Sequence, residues 1–284
     1  MRRVLTLLRK EWLDLWRNPR LFLGVLVVPL LIAAVMIPAL TLTMGGMESA
    51  LKEYVAQNRV ARKAPPVAKP KPPAEADLPL PGLDRRLRSE PPKRQALWYT
   101  VTMMMGYLFI FPIALPLSLG AASIIGEKQE GTLEPLLATP IRTGELLAAK
   151  TLFAAMPGIL VTWAAYLVQL FSAGTVLPRD KVLMIFASPP WLAALFLLTP
   201  VLAFMTTLGL VMVSAWVTDQ RSAQQLGALL VLPVTGAVLT VMLGLVQLET
   251  LLVLAIPPAA LACLVLLQLA VRVFHRDTIL TRWR

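Results

Sequence analysis

A single cysteine, Cys263, and a single histidine, His275, are the only thiol and imidazole groups in 284 residues. One cysteine excludes an intrachain disulfide or a multi-cysteine metal cluster, and one histidine excludes a His-based metal site within the chain. Charge is scarce too. Asp, Glu, Lys and Arg make up 15% of the residues, where soluble domains carry about a quarter. No His-Glu metalloprotease pattern and no credible nucleophile-base pair is present, which leaves intramembrane proteolysis unsupported. Gly126 and Gly131 have the spacing of a phosphate-binding loop, but Thr132 stands where that loop needs lysine. The chain therefore offers no visible ATP site. Its apolar runs are nearly free of acids and bases, so a proton- or ion-coupled carrier has no obvious relay.

What is present is hydrocarbon. The chain is 57% hydrophobic, with a mean hydropathy of +0.70. Runs of twenty or more apolar residues alternate with short charged blocks, which reads as an all-α integral membrane protein. Six transmembrane helices are predicted, at 21–44, 97–125, 150–173, 190–217, 225–247 and 251–274. The last is either one span kinked at Pro257-Pro258 or a span starting there after a short helix at 249–256. The basic start "MRRVLTLLRK" is like a signal peptide. The following run is about twice the length of a signal core, so it reads as a retained span.

Residues 1–20 predict an interfacial helix. Val4, Leu8, Trp12 and Leu15 fall at helical spacing, flanked by Leu5 and Trp16, with Arg2, Arg3, Arg9, Lys10 and Arg17 elsewhere. An amphipathic, basic helix with Trp on its apolar side lies in the membrane plane. Residues 45–96 form an extracytoplasmic loop rich in proline, extended rather than packed. Pro29, Pro38, Pro112, Pro116, Pro157, Pro200 and Pro233 lie inside predicted spans and read as kinks. Met103, Met104 and Met105 have thioethers suited to Cu(I), but consecutive positions point around a helix and favour packing.

The net charge of +11 suits basic span flanks that meet lipid headgroups, and nucleic acid is not an expected partner. With the N-terminus cytosolic, 14 basic residues lie on the inner side and 13 on the outer. The tie is broken by the six basic residues before the first span, because early flanks weigh most. Both termini are then cytosolic, in a multi-pass protein of the cell membrane.

Acid is concentrated in one place. "GEKQEGTLEPLLATPIRTGELLAAK" (126–150) holds Glu127, Glu130, Glu134 and Glu145, a quarter of the chain's sixteen acids. Gly131 breaks the preceding helix, Thr132 caps a short helix over about 133–139, and Thr143 caps the helix that continues through Lys150. This cytosolic segment, 126–149, carries an apolar side at Leu133, Leu136 and Leu137. Its acids suit a partner surface bearing Lys or Arg, or simply serve as helix-end charges.

That stretch resembles the signature of type-2 ABC exporter permeases, a family that includes sodium-efflux and drug exporters. There a Glu-Lys-x-x-Gly-Thr-Leu run with a following Thr-Pro sits between the second and third spans. "RSAQQLGALLVLPV" (221–234) and "HRDTILTRW" at the C-terminus resemble further parts of the same family. The resemblance implies a non-enzymatic transmembrane subunit. It would pair with a second six-span permease, identical or related, and with cytosolic ABC ATPase subunits that hold ATP and Mg; this chain would hold no cofactor. Carried over by position, Glu127, Lys128, Glu130, Gly131, Thr132 and Leu133 would couple ATPase closure to the spans through a short coupling helix. The alternatives are a secondary carrier or passive channel that needs no ATPase, or a membrane scaffold. Weakly polar spans point to an amphipathic or hydrophobic substrate without choosing one.

Overall fold

The computed structural model describes residues 2–18, 23–36, 38–39, 92–129, 131, 143–214, 217, 219–229, 232–233, 236–237, 240 and 246–273. The expected spans 21–44 and 225–247 are thus described only in part. Most of the proline-rich loop, the expected coupling helix at 133–139 and the C-terminal motif lie outside the described residues. All secondary-structure elements among the described residues are helical.

The chain begins with α1 (Arg2–Arg17). A π-helical turn (Leu23–Val27) leads into α2 (28–36). Next come α3 (Pro92–Tyr107), a 3-10 turn (Leu108–Ile110) and α4 (Phe111–Gln129). Then follow α5 (Thr143–Val176), the short α6 (Arg179–Phe186) and α7 (Pro189–Ala193). A second π-helical turn (Ala194–Leu198) joins α7 to α8 (Thr199–Ser214). Last are α9 (Gln220–Ala228) and α10 (Leu248–Val273). Four stretches among the described residues are long and apolar enough to cross a membrane: Leu97–Glu127, Gly144–Thr175, Pro189–Ser214 and Thr250–Arg272.

Proline explains the irregular turns. A proline ring clashes with the carbonyl four residues back and leaves it without its N–H partner. For Pro29, Pro112 and Pro200, that earlier residue is Val25, Leu108 and Phe196, and each lies in a π or 3-10 turn. Local change of helix pitch absorbs the clash without ending the span. At Pro257-Pro258 the helix runs unbroken from Leu248 to Val273. The alternative of one continuous helix is therefore the form adopted.

The helices build a bundle with two distinct ends. At one end, Trp98, Met105, Phe109, Phe186, Trp191 and Leu252 belong to a large apolar and aromatic core. Trp191 stacks on Phe109 with centroids 6.4 Å apart, and the Tyr166 hydroxyl donates to the Phe186 carbonyl, tying α6 to α5. At the other end the core divides into smaller clusters around Leu119 and Phe153, Leu147 and Val211, and Leu117 and Ile125. Small residues let backbones approach there. A Cβ on Gly120 would come within 2.7 Å of Leu210, and one on Gly227 would overlap Leu117. By contrast α10 leaves Val253, Leu254, Leu261, Leu264 and Val265 exposed, an apolar side that hydrocarbon accommodates.

Candidate functional site

The second end of the bundle is where α1 meets the final turns of α4 and the first turns of α5. Part of the apolar stripe of α1 is covered by the chain's own helices. Leu15 is buried, and Leu8 and Trp12 pack with it against Leu115, Leu119, Phe153 and Ala154. Trp12 meets Phe153 edge to face at 6.3 Å and 89°. Leu5, Leu13 and Trp16, on other sides of the helix, are the exposed ones. Their exposure leaves α1 with an uncovered apolar edge as well as a face toward protein.

Inside this contact sits a knot of charges. Glu11 lies on the buried face of α1, between Leu8 and Leu15 in helical register. Lys150, eighth in α5, has a side chain only 4% exposed. Its Nζ lies 2.7 Å from Glu127 Oε2 and 3.4 Å from Glu11 Oε1. It also donates to the carbonyl and to the Oγ of Ser123, both at 3.0 Å. The Ser123 hydroxyl donates in turn to Glu11 Oε2 at 3.0 Å. Lys10, on the outer side, pairs with Glu127 Oε1 at 3.2 Å. Three helices are thereby joined by two cations and two carboxylates, near charge balance in a partly dry setting. A cleft of about 440 Å³ opens beside the knot, lined among others by Lys10, Asp14, Asn18, Ser123 and Glu127.

Electrostatics follow the geometry. Burial alone pulls the Lys10 ammonium down. The attraction and hydrogen bond of Glu127, with the fields of Glu11 and Asp14, outweigh that, so its pKa lies above the ordinary lysine value.

Among the residues expected to couple, Glu127 is brought into the knot with a side chain 11% exposed. Gly131 takes φ = 68°, the left-handed region, just beyond the end of α4 at Gln129. That conformation needs glycine and ends the helix there, as its position suggested. The side chain of Lys128 and all of Glu130, Thr132 and Leu133 lie outside the described residues. The segment at 221–234 begins as a capped helix. Asp219 Oδ2 accepts from the Ser222 backbone N–H at 3.0 Å and from the Ser222 hydroxyl at 3.1 Å, and the backbone hydrogen bond leads in holding the Asp219 pKa below its usual value. Gly227 of this helix seats against Leu117 of α4.

Sequence reasoning did not single out Glu11, Ser123 or Lys150 as site residues, and it took the spans to be nearly free of internal charge. Lys150 stands at the expected start of the third span, inside the apolar helical stretch Gly144–Thr175. The signal was there in principle. Glu11 is the one acid interrupting the stripe Leu8-Trp12-Leu15, and Lys150 is the one cation in the run "LLAAKTLFAAM". A lone charge on an otherwise buried face needs an opposite partner. Among the described residues no group of three His, Cys, Asp or Glu side chains is placed to hold a metal ion.

A sequence model of the family described as "ABC-2 family transporter protein" matches residues 5–277. No curated protein and no solved structure matches the chain.

Proposed function

Because the chain belongs to the ABC-2 transporter family, we propose that it is the six-span permease subunit of an exporter driven by a separate cytosolic ATPase. The observation that carries this reading is the family match over nearly the whole chain. The charge knot adds to it by joining α1 to the helices on either side of the segment that the sequence singles out.

Six crossings agree with the path of the described residues. α1 packs beside Leu119 at the knot end. The Ala34 carbonyl accepts from Ser172 near the last turn of α5, so the chain has by then passed to the aromatic end. Two later pieces complete the alternation. α9 packs on Leu117, Ala121 and Ile125 at the knot end, whereas α10 starts near the aromatic core at Leu252 and reaches Leu147 at Ala270. We read the chain between 229 and 248 as a fifth passage, because its described flanks pack at opposite ends. The basic N-terminal helix at the knot end supports a cytosolic knot and cytosolic termini.

Within this reading the acids divide their work. Glu127 is held by Lys10 and Lys150, so its role is internal. Glu130 is then the acid that meets a basic ATPase surface, with Lys128, Gly131, Thr132 and Leu133 shaping the coupling segment. ATP and Mg belong to the ATPase, and a second six-span permease completes the path. The charged knot is confined to one end, and no other charged side chain among the described residues is buried. That confinement favours an ATP-driven permease over an ion-coupled carrier, which needs titratable groups along its path.

Purification in mild detergent, followed by export in vesicles, tests the reading. An ATP-binding protein is expected to co-purify, and export is expected to stop on nucleotide depletion. Glu130→Lys is expected to reduce export and ATPase association, while Glu75→Lys in the outer loop has little effect. Export that continues without nucleotide would replace this reading with a carrier or channel.

A further inference from the structure

The charge knot contains more directional information than a simple ion pair. Lys150 has three protons to donate, and its three hydrogen bonds go to Ser123 O and Oγ at 3.0 Å and to Glu11 Oε1 at 3.4 Å, while Glu127 Oε2 at 2.7 Å is an ion-pair contact without a hydrogen bond. The Glu11 contact is the longest of the four. The shorter hold on Glu11 is the hydroxyl of Ser123, which accepts a hydrogen bond from Lys150 and donates one to Glu11 Oε2 at 3.0 Å. Ser123 is therefore the go-between that passes the charge of α5 to α1. Lys10 closes the outer side, with its half-exposed pair to Glu127.

We propose that Ser123, Glu11 and Lys150 are positioning residues that lock α1 to the end of α4 and the start of α5, so that these three helices shift as one body. Apolar contacts such as Trp12 on Phe153 tolerate sliding, because one hydrocarbon neighbour replaces another. A buried carboxylate does not, since each step away from its donors leaves a charge unpaired. The relay role of this joint rests on the permease reading above: displacement of the end of α4 and the start of α5 would be delivered to α1, and through its exposed Leu5 and Trp16 edge to the membrane surface.

Amide hydrogen exchange on the full chain in nanodiscs tests the joint. In Ser123→Ala the amides of α1 are expected to exchange about tenfold faster, the loss of one hydrogen bond to a charged group. Those of 151–176 should keep their wild-type rates. Ser123→Thr restores the hydroxyl and is expected to restore slow exchange in α1. Glu11→Gln, which leaves Lys150 on Glu127, is expected to behave as Ser123→Ala does. Unchanged α1 exchange in Ser123→Ala, or equal acceleration through α1 and α5, overturns the joint. A second arm adds the co-purifying ATPase and ATP. The nucleotide is expected to alter α1 exchange in the wild type and not in Ser123→Ala; an equal response in both overturns the relay. The first arm contains no ATPase, so its failure removes the joint alone, whereas absence of any co-purifying ATPase removes the permease reading alone.

Discussion

The two ends of the bundle differ in the kind of polar group they bury. At the knot end the buried Lys150 and Glu11 are tied into a network of opposite charges through Glu127 and Ser123, although Thr151 Oγ1 has no hydrogen-bond partner among the described residues and Glu127 Oε2 meets Lys150 as an ion pair only. At the aromatic end the groups left without a hydrogen-bond partner among the described residues are neutral: the indole N–H groups of Trp98 and Trp191, the Ser188 hydroxyl and the Gln169 side-chain carbonyl. The first end fixes its helices by directional bonds, which tolerate little displacement. The second is held by shape and apolar area together with a few neutral bonds, such as Trp163 Nε1 to the Leu195 carbonyl at 2.9 Å, and its orphaned polar atoms gain partners when water or another group reaches them. If one end of this molecule opens at modest cost, the contrast assigns that role to the aromatic end.

The sharpest way to break the contrast is to remove the shared cation. Lys150→Met leaves Glu11 and Glu127 facing each other without their buried partner. It is expected to cost about 3–5 kcal/mol of stability, read as a lower unfolding midpoint in detergent. A loss no larger than that of a surface substitution would mean the knot does not hold its end. Packing at the same end is tested by Gly227→Ala, whose new Cβ meets Leu117. An overpacking cost of about 1–3 kcal/mol is expected. At the aromatic end the effect should be smaller. Gln169→Met removes an orphaned acceptor and keeps the volume, at the loss of the long 3.4 Å bond from Nε2 to the Met104 carbonyl, so stability should stay within about 1 kcal/mol of wild type. A clear loss would show that Gln169 makes a bond through water and that the two ends are alike. The smallest effect belongs to Lys10→Ala, since its pair with Glu127 is half exposed and contributes about 0–1 kcal/mol. Lys10 has a raised pKa in the folded chain. Its contribution is therefore complete below the ordinary lysine value near 10.5 and is lost as pH rises above it. Between pH 6 and 9 the difference between Lys10→Ala and wild type should be flat.

Much of this was legible from composition. Twenty-residue apolar runs dictate helices in hydrocarbon, and the glycine at 131 marked a helix end because only glycine occupies that backbone region cheaply. The prolines read as kinks; Pro29, Pro112 and Pro200 coincide with changes of pitch, whereas Pro116 and Pro157 lie inside continuous α-helices. The facing of α1 was not legible. An amphipathic stripe says that something apolar covers it, not whether lipid or protein does, and here Phe153 and Leu119 cover it. The knot was hidden for a related reason. Glu11, Ser123 and Lys150 are each ordinary in their own stretch, and only the packing of three helices distant in sequence makes them a unit. The coupling residues Glu130, Thr132 and Leu133 rest on the resemblance of their stretch and on the family match.

The distance along the chain between the members of the knot has a consequence in time. Glu11 and Lys150 are 139 residues apart. At a synthesis rate of about 5–20 residues per second, Glu11 waits roughly 7–28 s before Lys150 leaves the ribosome. Throughout that interval α1 carries an acid on the face it will later bury, with Lys150 not yet made to meet it. An unpaired carboxylate prefers water, which disfavours burial of that face. The arrival of Lys150 supplies the partner with which the face of α1 can be buried.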